Sequence, residues 1–327
     1  AVCGPHVLLT YHHTFMDGRG IMVVLEDLLD LLAGRAPPPP VGGGGLAPLF
    51  EEDVPWPRPQ PNMEPHLVLD PPDCLDARPE RVVPTAERRQ RFLWRRLPSE
   101  LTERLLARCR ECGSSAQGAL AAATVLALAA AHGGAGGMRL LLGVDCRRAC
   151  NRGPRSLACC AESLSCLLRA DRPFWEIAWE HKQDLVRRME VYEHVPAFPR
   201  PVKLRKWEEV VASAHVGLGR EAGGRALVQF SNRGAYRLAT PTHRATAVYF
   251  AQLGAPDPRH ALFFVNACTV GGAMCLTLCF DTPACSAEKA SRVADGIVGE
   301  LEAALHAAPP PRGLLPAEEG EEGGGEA

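Results

Sequence analysis

Apolar residues fall into short blocks whose spacing changes along the chain. Residues 6–11 (HVLLTY) form a compact, mostly apolar run, the pattern of a buried strand. Ile21, Val24, Leu25, Leu28 and Leu32 then recur at helical spacing, and Gly34 stands where a helix C-cap belongs. Residues 91–97 predict a strand. Pro98-Ser99-Glu100 opens a helix running to Cys112, with Ser99 as N-cap and Leu101, Leu105 and Leu106 as its apolar face. Residues 117–132 are Ala-rich and apolar nearly all round, as in a buried helix. Residues 138–144 predict a strand, 174–192 an amphipathic helix and 226–231 another strand. Residues 261–267 and 273–280 predict two strands joined as a hairpin at Gly271-Gly272. A last helix follows over 286–306, with Ser286 as N-cap. Strands alternate with helices and no internal repeat is present, so the predicted class is α/β with a mixed sheet.

Two segments break this periodicity. Prolines 37–40 and glycines 42–45 open a Pro/Gly-rich stretch, and residues 35–87 read as an extended crossover. Residues 308–327 read as a disordered acidic tail. Residues 1–34 precede the crossover and 88–307 follow it as the main folded body.

The chain has 327 residues, 46% apolar and 23% charged, enough for a sizeable core. The formal charge of −2 gives no broad basic surface, which argues against nucleic acid or an anionic membrane as main partner. No apolar run reaches transmembrane length, and no secretory signal is visible. The first residue is Ala, so the chain reads as a piece of a longer protein. The 13 cysteines, an odd number scattered among apolar residues, fit a reducing compartment and predict a cytoplasmic location. Cys109-Arg110-Glu111-Cys112 lacks a second pair at zinc spacing, so no metal is expected. Arg88, Arg89, Arg91, Arg95 and Arg96, with Phe92 and Trp94 between them, read as a solvated edge strand with inward aromatics. Contact with nucleic acid, or with the phosphates of CoA or a phosphopantetheine arm, remains as an alternative for them.

The segment with the most chemistry is His12-His13-Thr14-Phe15-Met16-Asp17-Gly18, between a predicted strand and a predicted helix. A His presented on such a loop can act as a general base near neutral pH. An Asp four residues on can fix the loop by pairing with an Arg or with backbone N–H groups. Gly18 permits a close approach that a side chain would block. A metal reading through His12, His13 and Asp17 requires a helix already formed at residue 13, ahead of the apolar period.

These residues resemble the HHxxxDG motif of the CoA-dependent acyltransferase superfamily, which includes condensation domains and alcohol acetyltransferases. His12, His13, Asp17 and Gly18 meet its four fixed positions. Residues 140–147, ending in Arg147, look like the family's strand with a V-x-x-R ending. Phe230-Ser231-Asn232-Arg233-Gly234 looks like its SN-x-G strand end, and the hairpin and last helix look like its closing elements. The plant DFGWG motif is absent.

The resemblance implies a chloramphenicol-acetyltransferase-like two-lobed sandwich with mixed sheets, its first lobe incomplete and represented by residues 1–34. It implies transfer of an acyl group from a thioester to an alcohol or amine, by direct attack with His13 as base. The co-substrate is then acyl-CoA or a phosphopantetheine-linked acyl group, with no permanently bound cofactor and a carrier protein as a possible partner. Asp17 is implied to hold the loop, His12 to pack or hydrogen-bond, and Ser231 and Asn232 to line the substrate tunnel or assist the oxyanion. Arg147 reads as a structural ion-pair residue. The partner of Asp17 is expected in a segment preceding the motif, outside this chain. The alternative function is a catalytically inactive, degenerate condensation-like binding module.

Overall fold

The computed structural model describes residues 2–13, 15–39, 74–75, 79–81, 83–134, 136–148, 153–190, 226–252 and 262–311. Most of the crossover and of the acidic tail therefore lie outside the described residues. Two short strands, β1 (Val2–Cys3) and β2 (His6–Val7), pair antiparallel and lead through the motif loop into α1 (Gly18–Leu32). The main body runs β3 (Arg89–Leu97), α2 (Ser99–Glu111), α3 (Ala116–His132), β4 (Gly137–Asp145), β5 (Ala161–Arg169), α4 (Phe174–Glu190), β6 (Ala226–Tyr236), β7 (Phe263–Val270), β8 (Ala273–Thr282) and α5 (Ala287–Ala303). Among the described residues six strands form one mixed sheet in the order β3-β8-β7-β6-β4-β5. The β4–β6 and β6–β7 pairs are parallel and the others antiparallel.

Strand alternation divides the sheet into two faces. Leu140 and Leu142 of β4, Val228 and Phe230 of β6, Val265 and Ala267 of β7 and Leu276 and Leu278 of β8 join the main core. That core is completed by α3, whose buried residues include Leu120, Val125 and Leu128, and by α5 and α4. Ser115 caps α3 by accepting from Gly118 N–H, and the helix ends at Gly133 in the left-handed region. On the opposite face, Cys268 and Val270 of β7 meet Ile21 and Met22 of α1, with Leu238 and Phe250. The sheet is thus covered on both sides, and α1 docks on the side away from the other helices.

Several expectations change. Residues 8–11 are not strand: β2 stops at Val7, and among the described residues it pairs with β1 alone. Leu8 is 67% exposed, so the run predicted to be buried has no sheet to pack on among the described residues. Ser99 does not cap α2. Pro98 holds that place without a side-chain hydrogen bond, because its ring presents no acceptor. The strand β5 escaped sequence reading. Its inward residues Leu164, Cys166 and Leu168 do alternate, but with Ser163 and Ser165 between them.

β3 is an edge strand, yet Trp94 does not point inward. Leu93 and Leu97 belong to the helix side, Arg95 reaches Asp295 of α5 at 2.7 Å, and Trp94 is 63% exposed beside Tyr249. The hairpin forms as predicted, with Gly271 and Gly272 both at positive φ. β6 runs on to Tyr236 because a register shift after Asn232 lets pairing with β7 resume. No single helix among the described residues is long and apolar enough to cross a membrane.

One core residue carries a pH signature. His181 of α4 is 1% exposed, and neither ring nitrogen has a hydrogen-bond partner among the described residues. Burial pushes its pKa down to about 4. It is neutral when folded, whereas the unfolded imidazole takes a proton near pH 6.5. Stability is therefore lost as pH falls from about 6.5 towards 4, by about 3 kcal/mol at the lower end. Urea midpoints across that range should show this slope, and His181→Leu should flatten it. An unaltered slope in the variant would assign the effect elsewhere.

Candidate active site

The site is organised around Asp17, which is 2% exposed. As N-cap of α1, its carboxylate accepts from the backbone N–H groups of Arg19 at 3.0 Å and Gly20 at 2.9 Å. The same carboxylate receives both terminal nitrogens of Arg147, each at 2.8 Å, and Cys160 N–H at 2.7 Å. Burial works to raise the Asp17 pKa, but Arg147 and the Gly20 and Cys160 amides outweigh it and hold the carboxyl below its ordinary range. Burial likewise opposes the Arg147 charge, and Asp17 and Asp145 more than restore it.

Arg147 lies two residues past the end of β4. Besides Asp17, its guanidinium donates to the carbonyls of Ser156 and Ala158, each at 2.9 Å through Nη2. One buried ion pair thus ties three stretches together: the motif loop, the end of β4 and residues 156–160. The expectation that Asp17 has no partner within the chain is corrected. The two residues are 130 positions apart, and nothing local in the sequence links them.

The locked loop presents His13 at the surface of the main body. Its Nδ1 lies 3.5 Å from Cys159 Sγ, and its ring centroid is 6.3 Å from that of Tyr11. His12 is exposed and packs edge-on to Phe15, with centroids 6.1 Å apart. α1 begins at Gly18, so His13 and Asp17 do not sit one turn apart on a helix, as the metal reading requires. Among the described residues no group of three His, Cys, Asp or Glu is arranged to hold a metal ion.

His13 borders an open cavity of about 260 Å³ together with Gly143, Gln229, Ser231, Asn232 and Tyr236. The walls come from β4, β5, β6 and β7 and from the start of α1. β4 and β6 are parallel, and the cavity gathers residues towards their carboxyl ends, where open α/β sheets bind ligands.

Solved structures share this fold. The epimerization domain from the third module of tyrocidine synthetase B superposes with a TM-score of 0.59 at 15% identity, over 90% of this chain and 68% of that one. A condensation domain that mediates chain release from the enacyloxin polyketide synthase gives 0.55 at 15% identity, over 90% and 57%. The PapA2 acyl transferase gives 0.52 at 14% identity, over 90% and 63%. The chain has the condensation-domain fold. It spans roughly three fifths to two thirds of the length of those structures. No family model matches the sequence, and no curated protein matches it.

Within this condensation-domain fold, four of the residues singled out in the sequence, His13, Asp17, Ser231 and Asn232, border one cavity, as do Gly18 and Arg147. The Asn232 side-chain oxygen Oδ1 accepts from Gly234 N–H at 3.0 Å, so this side chain holds the local turn. The Ser231 hydroxyl lies beside Gly143, where an added Cβ would sit 3.6 Å away.

Sequence reasoning missed Arg233. Its guanidinium stacks 3.8 Å over the Phe250 ring and donates to Asn266 Oδ1 at 2.6 Å, with no carboxylate partner among the described residues. Burial pushes its pKa down, partly offset by Tyr11. Gly18 is what lets it lie there, since a Cβ at that position would come within 2.3 Å of Arg233 Nε. Gly18→Ala should therefore displace a packed arginine and cost about 1–3 kcal/mol. Urea unfolding of the variant measures this, and an unchanged midpoint would show that Arg233 moves aside freely. Cys159 was also missed. Its placement depends on the distant ion pair, which has no local sequence signal.

Proposed function

We propose that the chain performs acyl transfer, moving an acyl group from a thioester to an alcohol or amine with His13 as general base. The observation that carries this reading is the presentation of His13 at the cavity by a loop locked through the buried Asp17–Arg147 pair. The condensation-domain fold, shared with an acyl transferase, supports the same class of chemistry.

The steps follow from what this chain holds. The acceptor enters the cavity with its hydroxyl or amine against the His13 ring. His13 removes the proton as the nucleophile attacks the thioester carbonyl, then returns it to the departing thiolate, so no net charge is left on the ring. Asp17 keeps the loop in place and exchanges no proton, because its oxygens are filled by Arg147 and by backbone N–H groups. Holding donor and acceptor on either side of one imidazole supplies proximity. The Ser231 hydroxyl is the cavity donor assigned to the developing oxyanion, a type of contact commonly worth about 10²–10³ in rate. The donor is acyl-CoA or a phosphopantetheine-linked acyl group, the latter bringing a carrier protein as partner. A reducing, cytoplasmic setting fits the 13 cysteines scattered among apolar residues.

A second reading, a binding module without turnover, draws on the exposed Leu8 and Phe15 that flank His13. A panel of acyl-CoAs, with free thiol followed in the presence and absence of alcohols and amines, separates the two. Acceptor-dependent thiol release is the expected result. Thioester binding without release would favour the binding module.

A further inference from the structure

Cys159 stands apart from the other thiols. Among the cysteines whose side chains are described, Cys159 and Cys74 are partly exposed and the others are buried. Burial pushes Cys109 and Cys268 up to about 12, so they stay protonated and inert near neutral pH. Cys159 instead faces His13, with Sγ 3.5 Å from Nδ1. A thiol and an imidazole within this reach form the pair that turns cysteine into a nucleophile.

The pairing is held from both sides. Ala158 O accepts from Arg147 Nη2 at 2.9 Å, and Cys160 N–H donates to Asp17 at 2.7 Å. The residues before and after Cys159 are thus pinned to the same ion pair that fixes the His13 loop. Thiol and imidazole meet through this shared anchor, although they are 146 positions apart.

We infer that Cys159 is an S-acylation site served by His13, taking the acyl group from the thioester donor when no acceptor occupies the cavity. This rests on the acyl-transfer reading, since it uses the same donor and the same base. The Cys159 thiol gives its proton to His13 Nδ1, and Sγ attacks the thioester carbonyl carbon. The bond from that carbon to the donor sulfur breaks, and the donor thiolate takes the proton back from His13. One thioester and one thiol become another thioester and another thiol, with no oxidant or reductant consumed. The captured acyl group then lies against the His13 ring, where an acceptor has to bind. Donor in excess of acceptor therefore closes the site, and a competing thiol reopens it.

The test incubates the full chain with acetyl-CoA and with octanoyl-CoA without acceptor, then maps cysteine peptides by mass spectrometry. Cys159 should carry a hydroxylamine-labile acyl group, gained about tenfold or more faster than on Cys74, and His13→Ala should slow the gain about a hundredfold. Cys159→Ala should remove that adduct from the intact mass. Alkylation by iodoacetamide gives a donor-independent reading: Cys159 should react faster than Cys74, and the advantage should vanish in His13→Ala.

Equal reactivity of the two thiols, or a Cys159 rate indifferent to His13, overturns the inference. So does the absence of an adduct in a protein whose transfer to alcohols or amines depends on His13, and in that case the functional reading survives. Transfer to acceptors that persists in His13→Ala removes the functional reading itself, through a different readout.

Discussion

Replacing His13 with alanine is expected to lower kcat for acyl transfer by about 10²–10⁴-fold, the contribution typical of a positioned general base. The KM for the thioester should change little, because the ring meets the acceptor's proton and does not grip the donor. His13 is exposed and holds up no core, so the melting temperature of His13→Ala should stay near that of the parent. Steady-state kinetics with a fluorescent thiol probe, set beside a thermal melt, give both numbers. Turnover retained at the parental rate would remove His13 from the mechanism. A collapse in stability would instead show that the loop depends on the ring for its shape.

The second large effect concerns Arg147. Arg147→Ala leaves the Asp17 carboxylate buried with its cation gone, and breaking one side of such a pair costs about 3–5 kcal/mol. The loss has a defined pH dependence. The folded Asp17 pKa lies below its ordinary value, so the pair's contribution is complete above about pH 4 and disappears as pH falls through the folded value. The gap in urea midpoint between Arg147→Ala and the parent should therefore be widest near neutrality and narrow in acid. Arg147→Lys keeps the charge but loses the two-pronged fit and the carbonyl contacts, so it should recover only part of the stability. A gap that stays constant from pH 7 to pH 3 would show that Arg147 matters through packing alone.

Local pattern made much of the architecture legible. α1, α3, α4, α5 and the β7–β8 hairpin follow from apolar periodicity and, for α5, from the cap Ser286. What stayed hidden is non-local or deceptive. β5 alternates Ser with Leu and Cys, which reads as a loop until β4 is set beside it. Residues 8–11 look buried because they are apolar, but burial also needs a neighbour. On β3, the bulk of Trp94 suggests an inward side chain, whereas Leu93 and Leu97 hold the core side.

The site divides in the same way. His13, Asp17 and Gly18 were readable as one motif. Joining Asp17 to Arg147, Gly18 to Arg233 and His13 to Cys159 takes the folded chain, because each pair spans more than a hundred residues.

The two-sided strands of the sheet carry a consequence for how this protein can change. On β4, Leu140 and Leu142 face the helices, while Leu141 and Gly143 face the cavity. On β6, Phe230 packs inward, next to Gln229 and Ser231 at the cavity. A substitution at Leu141, Gly143 or Gln229 alters the room and polarity offered to a substrate without removing a side chain from the main core. Under the proposed acyl transfer, selection on substrate choice can therefore proceed with little loss of folding stability, and a laboratory library confined to these positions should yield many folded proteins that differ in what they accept.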